Sequence, residues 1–529
     1  MAGFTQKRAL DVRRLGWYAL AWPVALVVLP ITGLVWTAAE LAARARAAFR
    51  RGDADEMHAK DAVWEPLPPP ANQTIITSYL AVESLSLAEL RAMVTACLVA
   101  ALDAHGAPRY PRFTSRIRPR GGGRFAWARA EPEFAIEEHV VLAPAWVCDE
   151  ASALRRVGEL ASGDGLRYDR PLWRFELAQS EPGAAAGDDG ATSESIVLLQ
   201  IHHSLADGIA LVHILLQMMD APTLAPLGGP PVAPPATLRR VGAPALRGWS
   251  RGLLLLEGPL VALRALLRAR ASGPLAAVPS GRKLAACAPR IRLADVKAVC
   301  RATGCTVNDV LVAAVAAAVR ARELELGGGA ALPRRIVAVI PINTRPPGSA
   351  VLMENELAVV FAALPSTRGR AVLPVLHRTH RELAAIKASV EPHAMAVATR
   401  LIHRLVPAPL NRWLVDFGTD RACLMLCTLP GPSEHLAWAG ARVRCIRFWS
   451  PTRARMCVAA SAFSYGEFVE LSVMTDAAAD AEPGQLCRLF ADAFERLHEE
   501  ACGSEERDEE LPPVSSREQT GGPRARRET

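Results

Sequence analysis

The sequence is poor in aromatic residues, which make up only 5% of its 529 residues, and no stripe of Lys or Arg alternates with them. Its net charge of +7 is small for this length, and part of it lies in the Arg-rich C-terminal tail. Nucleic-acid-binding proteins concentrate basic charge on one face and add stacking aromatics. We therefore expect no nucleic-acid partner.

The eleven cysteines lack the paired spacing of a zinc site or a disulfide framework. None forms a Cys-x-x-Cys pair, and the nearest approach is Cys423-x-x-x-Cys427 inside an apolar run. An odd number of thiols among apolar residues is typical of reduced, buried cysteines in a protein that faces the cytosol. His377 and His380 share a predicted helix but have no nearby third ligand, so we expect no metal site.

Charged residues are absent from Leu15 to Ala39, the most apolar window of the chain. A run of about 25 residues can cross a hydrocarbon core of roughly 30 Å, whereas a cleaved signal peptide has a shorter apolar region. We predict a retained anchor here. Pro23 and Pro30 leave open a hairpin embedded in one leaflet, and basic residues at both ends leave the orientation undecided.

Proline-rich segments divide the rest of the chain, and a chain of this length is expected to form two domains. We predict an α/β fold of two mixed-sheet domains, plus the N-terminal transmembrane or membrane-embedded segment. The predicted divisions are the anchor with basic flanks (1–52), a linker (53–72), an N-terminal domain (73–220), a Pro-rich linker (221–250), a C-terminal domain (251–502) and a disordered tail (503–529).

Hydrophobic periodicity predicts both strands and helices in each domain. Leu253–Arg270, apolar with arginines in and beside it, fits a helix in a membrane interface and an ordinary packing helix equally well. Predicted strands are 74–81, 134–143, 173–178, 336–343, 357–364, 422–429, 443–449, 456–464 and 469–474. Predicted helices are 86–102, 306–320, 376–387 and 483–499.

The most informative stretch is a β-branched-rich strand from Ser195 that ends in His202-His203 and is followed, after Asp207-Gly208, by an apolar helix. Titratable side chains at the end of a buried strand are fixed by the backbone, and burial tunes their pKa. Asp207 lies four residues beyond His203, and Gly208 leaves room for a close approach. This arrangement predicts a site of chemistry rather than two isolated core histidines.

The sequence His202-His203-x-x-x-Asp207-Gly208 resembles the signature of CoA-dependent acyltransferases. Further motifs are similar to those of the wax ester synthase/diacylglycerol acyltransferase family, and the resemblance extends from about Val63 to Cys502. It implies a bifunctional, membrane-anchored member of plant or algal type, with two mixed-sheet, CoA-dependent acyltransferase-like domains around a central tunnel. Glu354 replaces a usual Gly and Thr428 a usual Asn. The supporting motifs are Pro171-Leu172-Trp173, Val307-Asn308-Asp309-Val310, Pro341-Ile-Asn-Thr-Arg345, Asn355, Leu364-Pro365, Pro430-Gly431-Pro432 and Leu436 to Val443.

The resemblance implies direct transfer of a fatty acyl group from acyl-CoA to a long-chain alcohol or diacylglycerol. No acyl-enzyme and no cofactor is implied, since acyl-CoA is a substrate. His203 is implied as the general base for the acceptor hydroxyl, and His202 as a residue that shapes the site or takes a direct part. Asn308 and Asp309 are implied to orient the substrate.

Asp207 and Gly208 are implied to be structural at the site. Across a tight turn, the Asp207 carboxylate can point away from the imidazole of His203. We predict that it pairs instead with Arg345, which stands at the end of a strand of the second domain. Such a pair would join the two halves of the chain beside the histidines.

Two other functions compete with this one. Gly248-Trp-Ser250-Arg-Gly252 matches the nucleophile elbow of serine esterases, but that elbow follows a buried strand, and the preceding residues here are Pro-rich and basic. A membrane-anchored lipid-binding protein without turnover is the other alternative. For either enzyme or binder, we expect a membrane location, at the endoplasmic reticulum, with the catalytic domains facing the cytosol.

Overall fold

The computed structural model describes most of the chain beyond residue 55. The described residues are 56–65, 72–120, 124–130, 134–179, 194–219, 272–327, 335–346, 351–366, 371–406 and 408–509, with single residues at 258, 261, 264, 265, 268, 349 and 369. The predicted anchor and the Pro-rich linker with Ser250 lie outside them, as does most of Leu253–Arg270.

Two mixed sheets and a separate hairpin hold the strands of the described residues, which confirms the expected mixed α/β architecture. The hairpin is formed by β2 and β3. The strands are β1 Ile75–Glu83, β2 Ser115–Arg120, β3 Arg124–Arg129, β4 Val140–Leu142, β5 Trp173–Gln179, β6 Glu194–His202, β7 Lys283–Cys287, β8 Ile291–Arg292, β9 Arg335–Asn343, β10 Leu357–Pro365, β11 Leu424–Pro430, β12 Ala437–Trp438, β13 Ala441–Trp449, β14 Val458–Tyr465 and β15 Phe468–Asp476.

The helices cover the sheet faces, and three of them begin with a capping box, at Ser86, Asp149 and Thr306. A π-helical turn, Thr95–Val99, continues α2. Short 3-10 turns lie at Pro111–Thr114 and Ile136–Glu138. The helices are α1 Ala59–Ala62, α2 Leu87–Val94, α3 Glu150–Ala161, α4 Gly208–Gln217, α5 Leu293–Thr303, α6 Val307–Leu326, α7 Leu373–Ala388, α8 Glu391–Leu405, α9 Ala408–Thr419 and α10 Pro483–Glu509.

The first sheet has the order β12-β13-β1-β6-β5-β4, with β6 at its centre. Both neighbours of β6, β1 and β5, are antiparallel to it, and His202 lies opposite Ile75. The near-continuous apolar run of β6 is explained by burial on both faces. The histidine motif therefore begins where the most enclosed strand of this sheet ends.

The second sheet has the order β10-β9-β11-β14-β15-β7, with β8 paired to β15. Its parallel pairs are β9 with β11 and β11 with β14. Trp449, at the end of β13, donates its indole N–H to the carbonyl of Val473 on β15 at 3.2 Å. This contact joins the two sheets in the interior.

Strand β13 corrects the predicted assignment of residues 443–449 to a C-terminal domain. It pairs with β1 through a register that places Trp449 opposite Thr77. The first sheet is thus completed by chain from the second half. Sequence periodicity could not reveal this, because it identifies a strand but not its partner.

Three further expectations need correction. Residues 134–143 form a 3-10 turn and the short β4 rather than one strand. The last helix continues past Gly503 to Glu509, so the predicted tail does not begin at residue 503. Residues 56–65, assigned to a linker, contain α1, and half of them are buried, Asp61 fully.

Within the described residues, no single helix is long and apolar enough to cross a membrane. Helices α5 and α6 meet the length and composition criteria only as a pair, and they are bent by 99° at the break between them. Most side chains of α6 are buried in the protein core.

Candidate active site

The two histidines are placed by the end of β6 and by its neighbour β1. The backbone N–H of His202 donates to the carbonyl of Leu172 at 2.9 Å, and that of His203 donates to the carbonyl of Thr74 at 2.8 Å. The chain then turns, and Asp207 caps α4 by accepting from the Ala210 N–H at 3.0 Å. Strand, turn and helix follow one another as the sequence predicted.

His203 is buried, with 7% of its surface exposed, and both its ring face and its Nδ1 are in contact with other residues. Trp64 stacks on the imidazole with ring centroids 3.9 Å apart and an interplanar angle of 16°. Asn355 Oδ1 lies 2.9 Å from Nδ1. The ring is therefore held by one residue from the N-terminal segment and one from the second half of the chain.

Burial lowers the pKa of His203 to about 4, because the charged imidazolium loses its water. The nearby Asp207 carboxylate and the Asn355 amide oppose this decrease in pKa, whereas Arg453 adds to it. The imidazole is neutral at physiological pH. A neutral imidazole is the form that can accept a proton.

His202 is fully buried, and both of its ring nitrogens have partners in the protein. The backbone N–H of Ser204 points to Nδ1 at 3.3 Å, so Nδ1 accepts and Nε2 carries the hydrogen. Nε2 lies 3.2 Å from the hydroxyl of Thr74, which donates to the carbonyl of Trp64 at 3.0 Å. His202 thus helps to seat Trp64 over its neighbour.

The predicted contact between Asp207 and Arg345 is present. Arg345 Nη1 lies 2.8 Å from Asp207 Oδ2, and both side chains are almost completely buried. The same carboxylate oxygen accepts from the backbone N–H of Glu356, and Arg345 Nη2 donates to the carbonyl of Glu354, each at 2.8 Å. The pair therefore fixes the segment that carries Asn355 against the histidine turn.

Gly208 lies beside the second half of the chain. A Cβ on Gly208 would meet Leu429 of β11 at 3.4 Å, an ordinary contact distance. The close neighbour of Gly208 is thus an apolar side chain of the protein.

The N-terminal segment 56–65 is the part of the site that the sequence reading missed. Asp61 Oδ2 pairs with Arg112 at 2.7 Å, and Lys60 pairs with Glu354 and Glu356 at 2.7 and 2.6 Å. Glu354, one of the two departures from the family pattern, thus has an ionic partner. An Asp-x-x-Trp sequence beside a predicted linker was the available signal, but it is too short to be distinctive.

An apolar cavity of about 1000 Å³, including the space at its mouth, lies on the far side of two residues that contact His203. Trp64 and Asn355, which both contact His203, are in its wall, and so is the buried guanidinium of Arg453. Strands β9, β10 and β11 form one side, and helices α8 and α9 form the other. Such a cavity suits an alkyl chain whose polar end faces His203.

Asn308 and Asp309 lie in the first turn of α6. The Thr428 hydroxyl donates to Asn308 Oδ1 at 2.7 Å, so the second departure from the family pattern contacts a motif residue. Asp309 belongs to the capping box of α6 and lies 2.8 Å from His380 Nδ1. These contacts stabilise the helix start, and the substrate-orienting role of both residues stays a prediction.

His380 is therefore engaged with Asp309. Among the residues that the structure describes, no group of three or more His, Cys, Asp or Glu side chains is placed to hold a metal ion. Six of the eleven cysteines are buried. Burial raises the pKa of Cys427, near the histidine turn, to about 11, which keeps this thiol protonated and poorly nucleophilic.

Two family models match the chain in order. The wax ester synthase/diacylglycerol acyltransferase catalytic domain matches residues 80–311, and the WS/DGAT C-terminal domain matches residues 353–498. The "Probable diacyglycerol O-acyltransferase tgs1" of Mycobacterium tuberculosis is 26% identical over 409 residues, which cover 72% of this chain and 83% of that protein.

Solved structures share the fold. The wax ester synthase/diacylglycerol acyltransferase from Marinobacter aquaeolei VT8 superposes with a TM-score of 0.57 at 19% identity, covering 84% of this chain and 99% of that one. The first condensation domain of the calcium-dependent antibiotic synthetase gives 0.53 at 15% identity, covering 85% and 97%. The match to the catalytic domain includes the intact His-His-x-x-x-Asp-Gly turn, and the match to the C-terminal domain follows it along the chain. The chain therefore belongs to the wax ester synthase/diacylglycerol acyltransferase family and is an acyltransferase.

Proposed function

We propose that this protein transfers a fatty acyl group from acyl-CoA to the hydroxyl of a long-chain alcohol or of diacylglycerol, with His203 as the general base. The observation that carries the proposal is the position of His203. Its imidazole is neutral, and its two ring contacts, Trp64 and Asn355, also line an apolar cavity of about 1000 Å³. A lipid hydroxyl and a proton acceptor are thereby brought together.

The proposed reaction needs no covalent enzyme intermediate. His203 removes the hydroxyl proton as the acceptor oxygen attacks the thioester carbonyl, which gives a tetrahedral intermediate. Collapse of this intermediate breaks the carbon–sulfur bond, and the imidazolium returns its proton to the leaving CoA thiolate. Neither a metal nor a cofactor takes part, so activity should survive dialysis against EDTA.

We further propose that the cavity is the acceptor side of a tunnel between the two halves of the chain. Most residues of its wall are apolar, and two of its other members, Trp64 and Asn355, contact His203. The alkyl chain of the acceptor would lie against Phe361, Ile402 and Met425, with its hydroxyl towards His203. Asn308, in the first turn of α6, would orient the acyl donor.

The outer faces of α8 and α9 support a membrane as the source of this acceptor. Val397 and Leu401 of α8 and Leu410 and Trp413 of α9 are exposed, and Trp413 is 56% exposed. We call these four residues the apolar rim. The same two helices also line the cavity, so the apolar rim and the proposed acceptor site share one pair of helices.

The first described helix, α1, also contacts α9. Asn411 of α9 donates to the carbonyl of Ala59 at 3.5 Å, so α1 packs against the helix that carries two residues of the apolar rim. The predicted anchor ends at Ala39, and the intervening 16 residues or so can span at most about 55 Å. An anchor in a membrane would keep the rim near its surface. We propose the endoplasmic reticulum as that membrane, with the catalytic part in the cytosol.

The function is tested by incubating membranes that carry the protein with labelled palmitoyl-CoA and a panel of acceptors, and by separating the products by thin-layer chromatography. We expect wax ester from hexadecanol, triacylglycerol from diacylglycerol, or both, and a loss of about 10²- to 10⁴-fold in His203→Ala. His213→Gln, at a buried histidine of α4 bonded to Gln217, is the matched control. Ester formation by His203→Ala at the wild-type rate would refute His203 as the base.

A further inference from the structure

Asn355 is a buried amide whose side-chain groups all contact residues of the site. Its backbone N–H and its Nδ2 donate to Asp61 Oδ1 at 3.1 and 2.9 Å. Nδ2 also donates to the carbonyl of His203 at 2.9 Å, and Oδ1 lies 2.9 Å from His203 Nδ1. One amide therefore connects the fully buried Asp61 to the ring of His203.

These partners determine which way round the amide lies. Asp61 is a carboxylate, because its second oxygen pairs with Arg112 at 2.7 Å, and a carboxylate and a carbonyl can only accept. The amide nitrogen of Asn355 must face both of them, since an amide oxygen there would meet two acceptors. Its oxygen is left to face His203.

The orientation of Asn355 in turn determines the tautomer of His203. An amide oxygen only accepts, so the ring nitrogen opposite it, Nδ1, must donate a hydrogen. A neutral imidazole carries one hydrogen, and Nε2 is then left with a lone pair. Nε2 is the nitrogen that can act as a base.

We propose that Asp61 and Asn355 are positioning residues that hold His203 in the Nδ1-protonated tautomer, so that Nε2 takes the proton of the acceptor hydroxyl. This inference rests on the proposed role of His203 as the base. Neither residue touches the reacting atoms. Asp61 acts through Asn355, and Asn355 acts through His203.

Because Asn355 is an amide and not a carboxylate, it can orient the imidazole of His203 without raising the pKa of that imidazole. A carboxylate bonded directly to Nδ1 would favour the imidazolium, whereas the Asn355 oxygen carries no net charge. The Asp61 charge stands one residue further away and is paired with Arg112. The charged or titratable groups that act on the ring are Asp207, Arg453 and the neighbouring imidazole of His202.

Arg112 links this arrangement to the histidine turn. Besides Asp61, it donates to the carbonyl of Leu205 at 2.7 Å. The carboxylate, the amide and the turn thus form one bonded unit. The N-terminal segment contributes to it only because α1 is held in the interior.

The first test is Asp61→Ala. Without the carboxylate, the amide nitrogen of Asn355 is held only by the carbonyl of His203, so the amide and the hydrogen on Nδ1 are less firmly fixed. We expect kcat for acyl transfer to fall about 10- to 100-fold. The KM for palmitoyl-CoA should stay within about twofold of wild type, because Asp61 contacts no substrate. Asp61→Asn keeps an oxygen that can accept from Asn355 and should retain most of kcat.

The matched control is Asp480→Ala, which removes another buried carboxylate that pairs with an arginine, Arg322 at 2.8 Å. Both alanine variants should lower the melting temperature, but only Asp61→Ala should lower kcat per folded molecule. Wild-type kcat in Asp61→Ala, or equal losses in Asp61→Ala and Asp61→Asn, would overturn the inference. If His203→Ala itself kept full turnover, the proposed function would fail instead.

A second test measures how the pH dependence of kcat/KM changes when the group that faces His203 Nδ1 is altered. In the double variant Asp61→Asn/Asn355→Asp, the carboxylate lies directly against Nδ1, and the acid limb of kcat/KM should move to higher pH by about 1 to 3 units. Asn355→Ala should lower kcat without such an upward shift. An unchanged acid limb in the double variant would show that Asn355 only fills space, and would contradict the inference even if Asp61→Ala does not fold.

Discussion

Trp64 stacks on His203 at a centroid distance of 3.9 Å, and the guanidinium of Arg453 lies over the indole of Trp64 at 5.0 Å. The Trp64 carbonyl is also held through Thr74, the residue that bonds to His202. Both histidines are therefore connected to the same tryptophan, one through its ring and one through its backbone. Segment 56–65 keeps water from the face of the base.

Trp64→Ala should expose that face and raise the pKa of His203, because desolvation is the main cause of its low value. The acid limb of kcat/KM should move towards the ordinary histidine pKa of about 6.5, and kcat should fall about tenfold as water enters. Trp64→Phe keeps an aromatic cover and should leave the limb near its wild-type position. A pH–rate profile of the three proteins decides between these outcomes, and identical limbs would show that Trp64 does not shield the ring.

The wild-type enzyme should show no loss of activity between about pH 8 and pH 6, unlike an enzyme whose base has an ordinary histidine pKa. The neutral form of His203 is the active one, and burial lowers its pKa to about 4. Activity should therefore fall only as the pH approaches that value. Initial rates measured in short assays at each pH test this. As a stability control, enzyme held at low pH is returned to pH 7.5 and should regain its full rate. A half-maximal rate near pH 6.5 would contradict it.

Arg345→Ala should destabilise the protein by about 3–5 kcal/mol, because it leaves the buried Asp207 carboxylate without its cation. Activity should fall too, since Arg345 also holds the Glu354 carbonyl next to Asn355. Urea unfolding of Arg345→Ala and of Arg345→Lys measures the first effect, and the lysine variant should recover part of the loss. Wild-type stability and turnover in Arg345→Ala would mean that the pair does not brace the site.

The sequence predicted those parts of the molecule that depend on local pattern. The strand into His202, the cap and helix after Asp207, and most strands of the second sheet follow from apolar periodicity. The contact of Asp207 with Arg345, 138 positions away, was predicted from the family resemblance, which implied a structural Asp207, and not from local pattern.

The remaining parts depend on contacts between distant segments. Strand β13 completes the first sheet from the second half of the chain, and residues 56–65 enter the site although their composition resembles a linker. The bond from His203 to Asn355 spans 152 positions. The periodicity of apolar residues identifies a helix or a strand, but it does not show which distant segment that element will contact. Helices α8 and α9, which form one wall of the cavity, were not predicted from the sequence.

Leu401→Ser should weaken binding to vesicles that contain diacylglycerol by about tenfold, because it removes one leucine side chain from the apolar rim. Leu324→Ser is the matched control. Leu324 is exposed to a similar degree, 41% against 47%, but it lies on α6, away from the rim. Vesicle flotation gives the affinities of wild type and both variants.

The same pair of variants separates membrane docking from catalysis. A short, water-soluble alcohol reaches His203 without a membrane, so Leu401→Ser should esterify it at the wild-type rate and lose activity only with diacylglycerol in vesicles. A general folding defect would reduce both rates. If Leu401→Ser and Leu324→Ser bound vesicles equally well, the rim would not be the membrane face, and the acceptor would have to enter the cavity from another side.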